Sequence, residues 1–241
     1  MDNTVIDLAS VRSICQQCGI NKLCMPMGLE RNDLDQLDRI IKRRRPIAKG
    51  EHLYRGGEAF TAIYALRSGS VKSYLTHESG MEHVICFKLP GDLLGLSGIN
   101  GSHYTNSAVA LETSSVCDIP FNQLEHLCQE IPGLQHHILE MMSKEIQEEH
   151  EKIAVCSKLP AEARLASVLL TLSGRFHQRG YSATEFNLSM SRSDIANMLG
   201  LAVETISRLF THFQDEGLIE ADRKHIKLID VARLTALVKL A

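Results

Sequence analysis

Cys15, Cys18 and Cys24 fall within the stretch ICQQCGINKLC at positions 14–24, a C-x2-C-x5-C loop close to the start of the chain. Thiolates are soft anionic ligands and good nucleophiles. At this density they can close a disulfide, clamp zinc, cycle as a redox pair or open onto an iron–sulfur cluster. The spacing of the loop leaves all of these open. Two observations weigh against a staple. The leading residues MDNTVIDLASVRS lack the basic start and apolar stretch of a secretory signal, so a cytoplasmic chain is expected, and disulfides are rare there. Seven cysteines also make an odd number. Cys86, Cys128 and Cys156 sit in apolar contexts and read as small core residues. The eleven histidines are scattered without HExxH-type spacing. No nucleophile–base pairing or nucleotide-binding Gly loop supports an enzyme.

A second chemistry lies in SRSDIANMLGLAVETISRLFTHF, residues 191–213. A helix-turn-helix needs a small residue where its helices cross, a glycine at the turn, and branched apolar residues that lock the second helix down. Ala196, Gly200 and Ile206 stand at those places, with Leu199, Val203 and Leu209 as further apolar candidates. Gly200 alone would also suit an ordinary helix C-cap; the combined spacing favours the motif. A second helix starting near Ala202 would expose Glu204, Ser207, Arg208 and Thr211. Arg suits guanine O6 and N7, Glu accepts from cytosine N4, and Ser reaches either kind of base. Glu204 and Arg208 lie one helical turn apart, so both can face one major groove.

Three textures must position these residues. Residues 47–121 hold short apolar segments, AIYALR, SVKSYLT and HVICFKL among them, with Gly turns roughly every ten residues, the rhythm of a β-barrel or β-roll. From Pro132 to about Leu159 a helical pattern runs through Ile138, Met142, Ile146, Ile153 and Cys156. Glu149 interrupts that stripe, as either a solvated turn or a negative charge inside a helix–helix seam. After Lys158-Leu159-Pro160, helical patterns at 161–178 and 191–213 precede LIEADRKHIKLI, two short strands about a polar turn. Residues 1–157 carry a net charge of −5 and residues 158–241 a net of +2, a C-terminal bias compatible with DNA binding. No apolar run reaches the ~18–20 residues of a membrane-spanning helix, so no membrane partner is expected.

With VETISRLFTHFQ in the second helix, the chain resembles the CRP/FNR superfamily of bacterial transcription regulators along essentially its whole length. The resemblance implies an α+β fold in four parts. A cysteine segment spans 1–28 and a β-roll like the cyclic-nucleotide-binding domain spans 29–131. A dimerisation helix occupies 132–159, and a winged helix-turn-helix occupies 160–241. Cyclic-nucleotide-binding members carry a ribose-binding Glu and a phosphate-binding Arg. In GDLLGLSGINGSHYTNSAVALE those positions hold Leu96 and Asn106, so no cyclic nucleotide is expected. CQQCGINKLC resembles the cluster loop of the oxygen-responsive FNR branch, as do LDQLD, YALRSGSVKSY and AEARLASVLLTLSGRFHQRGYS. That likeness implies Cys117, in ALETSSVCDIPF, as the fourth ligand of a [4Fe–4S] cluster with Cys15, Cys18 and Cys24. Ile14, Ile20 and Leu23 would limit solvent access to it. Four thiolates also suit structural zinc, which the resemblance disfavours.

The resemblance further implies an oxygen-sensing global regulator of anaerobic metabolism. The cluster would favour a homodimer seamed along Met142, Ile146 and Ile153, with Glu149 opposing it by like-charge repulsion. The dimer would bind TTGAT-N4-ATCAA-type palindromes through Glu204, Ser207 and Arg208 and engage RNA polymerase, and oxygen would switch it off. Two residues depart from the pattern: Gly19 stands where some relatives have Ser, and Met81 replaces an acidic residue of a polymerase-contacting turn. The rivals are a heme or other redox sensor of the same superfamily and, from another class, an iron–sulfur electron carrier. A carrier needs neither a helix-turn-helix nor a dimerisation helix.

Overall fold

The computed structural model describes residues 15, 18–20, 23, 24 and 29–239. The amphipathic helix α1 (Arg31–Ile40) buries Leu37 and leads into eight strands. These are β1 (Lys42–Arg43), β2 (His52–Tyr54), β3 (Ala62–Ser68), β4 (Val71–Thr76), β5 (Glu82–Lys88), β6 (Leu93–Leu94), β7 (Ser107–Ala110) and β8 (Ser115–Pro120). They pair antiparallel in two four-stranded sheets ordered β1-β8-β3-β6 and β2-β7-β4-β5. The faces of the two sheets enclose an apolar interior that includes Tyr54, Leu66, Val71, Leu94 and Tyr104. The expected β-roll is therefore present.

Helices α2 (Phe121–Glu130) and α3 (Pro132–Lys158) follow. Pro132 suits the first turn of α3, where its missing N–H costs nothing. At the other end Pro160 biases Leu159 to extended backbone, and the helix stops. The 27 residues of α3 make a rod about 40 Å long. The single apolar stripe read from the sequence divides between three surroundings. Ile138 packs, with Met141, against the core shared by the roll, α1 and α2, while Cys156 packs against the core of the C-terminal unit. Met142 is half-buried. Outward point Leu139, Ile146 and Ile153, which are 57%, 55% and 61% exposed. They recur every seven residues, the interval of a coiled-coil seam. Leu139 thus joins a face the sequence pattern had drawn through Ile138.

The C-terminal unit comprises α4 (Ala161–Gln178), β9 (Glu185–Asn187), α5 (Arg192–Leu199), α6 (Val203–Asp215), β10 (Ile219–Asp222), β11 (His225–Leu228) and α7 (Val231–Lys239). Its three strands form an antiparallel sheet ordered β10-β11-β9, and α7 packs on α4. The two strands expected around the polar turn are β10 and β11; β9 is an addition. The core of this unit continues into the roll through Val84, Phe87, Leu89 and Leu111, so the two units share one apolar cluster. Among the described residues no helix is long and apolar enough to cross a membrane.

Candidate functional site

Cys15 and Cys24 are buried and Cys18 and Cys117 half-buried. Cys117 stands on β8, opposite Ala65 of β3 and Arg43 of β1. The loop is turned by the N–H groups of Leu23 and Cys24, which both donate to the Ile20 carbonyl at 2.9 and 3.1 Å. It is tied to α1 by the Cys15 N–H, which donates to Asp38 Oδ1 at 3.3 Å. Asp38 is itself held by Arg43 at 2.6 Å. Cys24, Cys117 and Ile20 share one packing cluster with Leu37, Ile63, Leu93, Leu134, Ile138 and Met141. The cysteine wall and the first turns of α3 are therefore one piece of core. Ile14 lies outside the described residues, and Leu23 is half-buried.

The electrostatics of this wall are those of an anionic donor set. Burial, and then Asp38, Cys117 and Cys24, push the Cys15 thiol up to about 12. Burial and the neighbouring Cys18 push the Cys117 thiol up. Cys117 and Cys24 thus make ionisation of Cys15 harder, as Cys18 does for Cys117, a conflict that binding a metal as thiolates removes. Among the described residues no three His, Cys, Asp or Glu side chains are placed to hold a metal ion. The four thiols are neighbours rather than a closed ligand set. In chemistry they fit an iron–sulfur group: soft donors set in an apolar wall.

Inside the roll, the Tyr54 ring stacks on Tyr104 at 4.1 Å and on Tyr64 at 5.8 Å. The Tyr54 hydroxyl donates to Asn106 Oδ1 at 3.5 Å, and Ser97 Oγ donates to the same oxygen at 3.0 Å. Asn106, at the position of the phosphate-binding Arg, is engaged in neutral hydrogen bonds, and Leu96 at the Glu position is half-buried.

The helix pair is built with its caps and locks in place. Ser191 Oγ accepts from the Asp194 N–H at 3.0 Å, and Asp194 Oδ2 accepts from the Ser191 N–H at 3.0 Å, a capping box that starts α5. Gly200 ends α5 at φ +64°, the left-handed turn that a side chain would strain. Ala196, Leu199, Ile206, Leu209, Phe210 and Phe213 are buried. Glu204, Ser207, Arg208 and Thr211 form the exposed face of α6. Val203, read from the sequence as a packing residue, is 39% exposed. It opens the first turn of α6, where the chain has just left the turn and the core is not yet beneath it.

Glu149 is half-buried and paired with Lys152, whose ammonium also donates to the Ile85 carbonyl at 2.6 Å. The carboxylate therefore has a partner inside its own protomer, which the sequence pattern did not reveal. Sequence reading also missed the polar contacts between the two units. Lys72 Nζ bonds Asp194 and Glu82, each at 3.0 Å. Asn197 bonds the Val84 N–H at 2.6 Å and the Glu82 carbonyl at 2.8 Å. Asp92 is held by Arg175 and Arg179. The partners that join the two units lie 83 to 122 residues apart, beyond any local pattern.

Comparison with known proteins agrees with this architecture. A family model for the Crp-like helix-turn-helix domain matches residues 163–237, and one for the cyclic nucleotide-binding domain matches residues 44–131. The chain is 44% identical to the transcriptional activator protein anr of Pseudomonas aeruginosa over 98% of its length and 97% of that protein's. It is 46% identical to the fumarate and nitrate reduction regulatory protein of Salmonella typhimurium, covering 92% of this chain and 89% of that one. Among solved structures, FixK2 from Bradyrhizobium japonicum superposes with a TM-score of 0.75 at 26% identity, over 82% of this chain and 97% of that one. Near-full-length identity, a matching fold and an assembled helix-turn-helix together place the chain among the FNR/Anr-type transcription regulators of the CRP/FNR family, which are DNA-binding proteins and not enzymes.

Proposed function

We propose that this regulator senses oxygen through a [4Fe–4S] cluster held by Cys15, Cys18, Cys24 and Cys117, and that the sensing controls homodimerisation and binding to TTGAT-N4-ATCAA-type palindromes. The observation that carries the reading is the shared packing of Cys24 and Cys117 with Leu134, Ile138 and Met141 at the start of α3. A bound cluster would supply an oxygen-labile centre and take the four sulfurs as thiolates. The rest falls to the chain. Fixing the cysteine loop fixes the wall on which α3 rests, and α3 then offers Leu139, Ile146 and Ile153 to a second copy. Glu149, three residues after Ile146, borders that seam; its charge, paired only within its own protomer, keeps the dimer marginal. In the dimer, two α6 helices about 34 Å apart read the two half-sites with Glu204, Ser207 and Arg208. Contact with RNA polymerase goes with this role, and Met81, 68% exposed on the β4–β5 hairpin, alters the surface available for it.

The test is anaerobic purification with iron and acid-labile sulfide analysis, followed by binding to a palindromic fragment before and after exposure to air. The reading expects about four iron and four sulfide per chain, as a [4Fe–4S] cluster requires. It also expects DNA binding that air abolishes. Binding indifferent to both oxygen and iron would favour a heme or thiol sensor of the same family.

A further inference from the structure

We propose that Asp92 is a positioning residue through which the cysteine loop orients the DNA-binding unit within a single protomer, by a route separate from the dimer seam. This rests on the cluster reading above. Asp92 closes the tight turn between β5 and β6, where its Oδ2 accepts from the Leu89 N–H at 2.6 Å. The same carboxylate receives two arginines from the end of α4: Arg175 at Oδ2, and Arg179 at Oδ1 at 2.8 Å. Arg175 also donates to the Phe87 carbonyl at 2.8 Å and Arg179 to the Pro90 carbonyl at 2.7 Å. The turn is thus gripped at four acceptors by one helix end. The Arg179 side chain is only 6% exposed. Burial works against its charge, and Asp92 is the neighbour that offsets this.

The other side of the turn meets the cysteine loop. Gly91 has φ +99°, and a Cβ placed on it would lie 2.9 Å from Leu23 Cβ and 3.2 Å from the Leu23 carbonyl oxygen. Leu23 directly precedes Cys24 and Gly91 directly precedes Asp92, so one close approach joins the neighbour of a proposed ligand to the neighbour of the α4 anchor. Helix α4 cannot follow the turn alone. Leu165, Leu169 and Leu172 are buried in the same core as Ile206, Phe210 and Phe213, so α4 and α6 move as one body. A displacement of the loop therefore reaches the base-reading face through the turn and α4, by a path that runs beside the one through α3.

The route is separable from dimerisation in an Ile146→Glu chain, which cannot close the seam. Full-length Ile146→Glu protein is loaded with cluster anaerobically, and its mass, iron and sulfide are confirmed. Amide hydrogen exchange is then followed in peptides covering 87–93 and 172–180, before and after the cluster is stripped. The loaded monomer is expected to exchange at least about five-fold more slowly in both peptides, the lower end of ordinary coupling between sites. Adding Asp92→Asn should abolish the response at 172–180 while iron and sulfide content stays intact, and Asp92→Glu should restore part of it. Leu23→Gly removes the Cβ that abuts Gly91, loosening the contact from the loop side alone, and should give the same loss, which guards against Asp92→Asn merely loosening the turn. In the dimerising background, Asp92→Asn should lower DNA affinity about ten-fold with the dimer mass unchanged. A response that appears only in dimers, or that survives both Asp92→Asn and Leu23→Gly, overturns the inference. A chain that takes up no iron and sulfide defeats the cluster reading instead, and the inference falls with it.

Discussion

Glu204, Ser207 and Arg208 are held on α6 by side chains that are themselves buried, Ile206, Leu209, Phe210 and Phe213, whereas the four cysteines are gathered on a wall where burial and neighbouring sulfurs make Cys15 and Cys117 harder to ionise. At the DNA-reading end, packing and caps settle the geometry with nothing bound. At the cysteine end, packing brings the donors together but, among the described residues, does not close them into a ligand set. A site finished by apolar burial is indifferent to solution chemistry. On the proposed cluster reading, a site completed only by its bound group can report whether that group is there.

The most severe way to break this contrast is Cys117→Ser, which removes the donor supplied by β8. Iron and sulfide content should collapse and DNA affinity fall by more than about 100-fold, beyond what outer-shell changes usually cost. The far-ultraviolet spectrum should not change, because the strand pairs through its backbone. Full cluster content in that variant would show that the loop closes its site without the roll.

At the other end the counterpart is Ile206→Ala. Ile206 is fully buried, so a cavity there should cost about 2–4 kcal/mol in denaturant unfolding. The same change at exposed Ile153 should stay within about 0.5 kcal/mol for the monomer, and show instead as a weaker dimer in sedimentation. Equal losses at the two sites would mean that α3 keeps no free face.

The contrast also explains what could be read from sequence. Helix α4 runs over the residues its apolar pattern marks, and the helix pair was legible because its spacing is local and every position has one duty. Helix α3 was legible as a helix but not in its facing. It serves two cores and a free surface at once, so its apolar residues do not fall on one stripe. Strand β9 has a single buried residue, Phe186, between two exposed neighbours, too little for a period-two signal. The cysteine loop could be recognised by resemblance, while Asp38 beside Cys15 and Leu23 against Gly91 exist only once the chain has folded.

Smaller effects sharpen the DNA end. Arg208→Ala should cost about 1–3 kcal/mol on a site with its half-site G·C pair, and should level the difference between that site and one altered at the pair. Unchanged discrimination would remove Arg208 from base reading and leave it as a surface cation.

The smallest expected effect tests whether the helix pair is as self-sufficient as its packing suggests. Burial pushes the Asp194 carboxyl up, but hydrogen bonds from Ser191 and the Lys72 ammonium outweigh this and hold it below the ordinary carboxylate value. A carboxyl depressed in the folded state stabilises that state at any pH above its unfolded value, about 3.9, and the contribution is lost as the pH falls through the folded value. Ser191→Ala removes the cap, at about 1 kcal/mol. Lys72→Met removes the tie to the roll and should cost less than about 1 kcal/mol near neutrality, the usual worth of a partly exposed pair. Without Lys72, the Asp194 value moves back toward that of the unfolded chain, so less stability remains to be lost in acid and the acid limb of the stability–pH curve should flatten. An acid limb that superimposes on the parent's would show that Ser191 alone holds Asp194. The helix pair would then owe no ion pair to the β-strand beneath it, and the contact between the two units at this corner would rest on packing and the Asn197 hydrogen bonds.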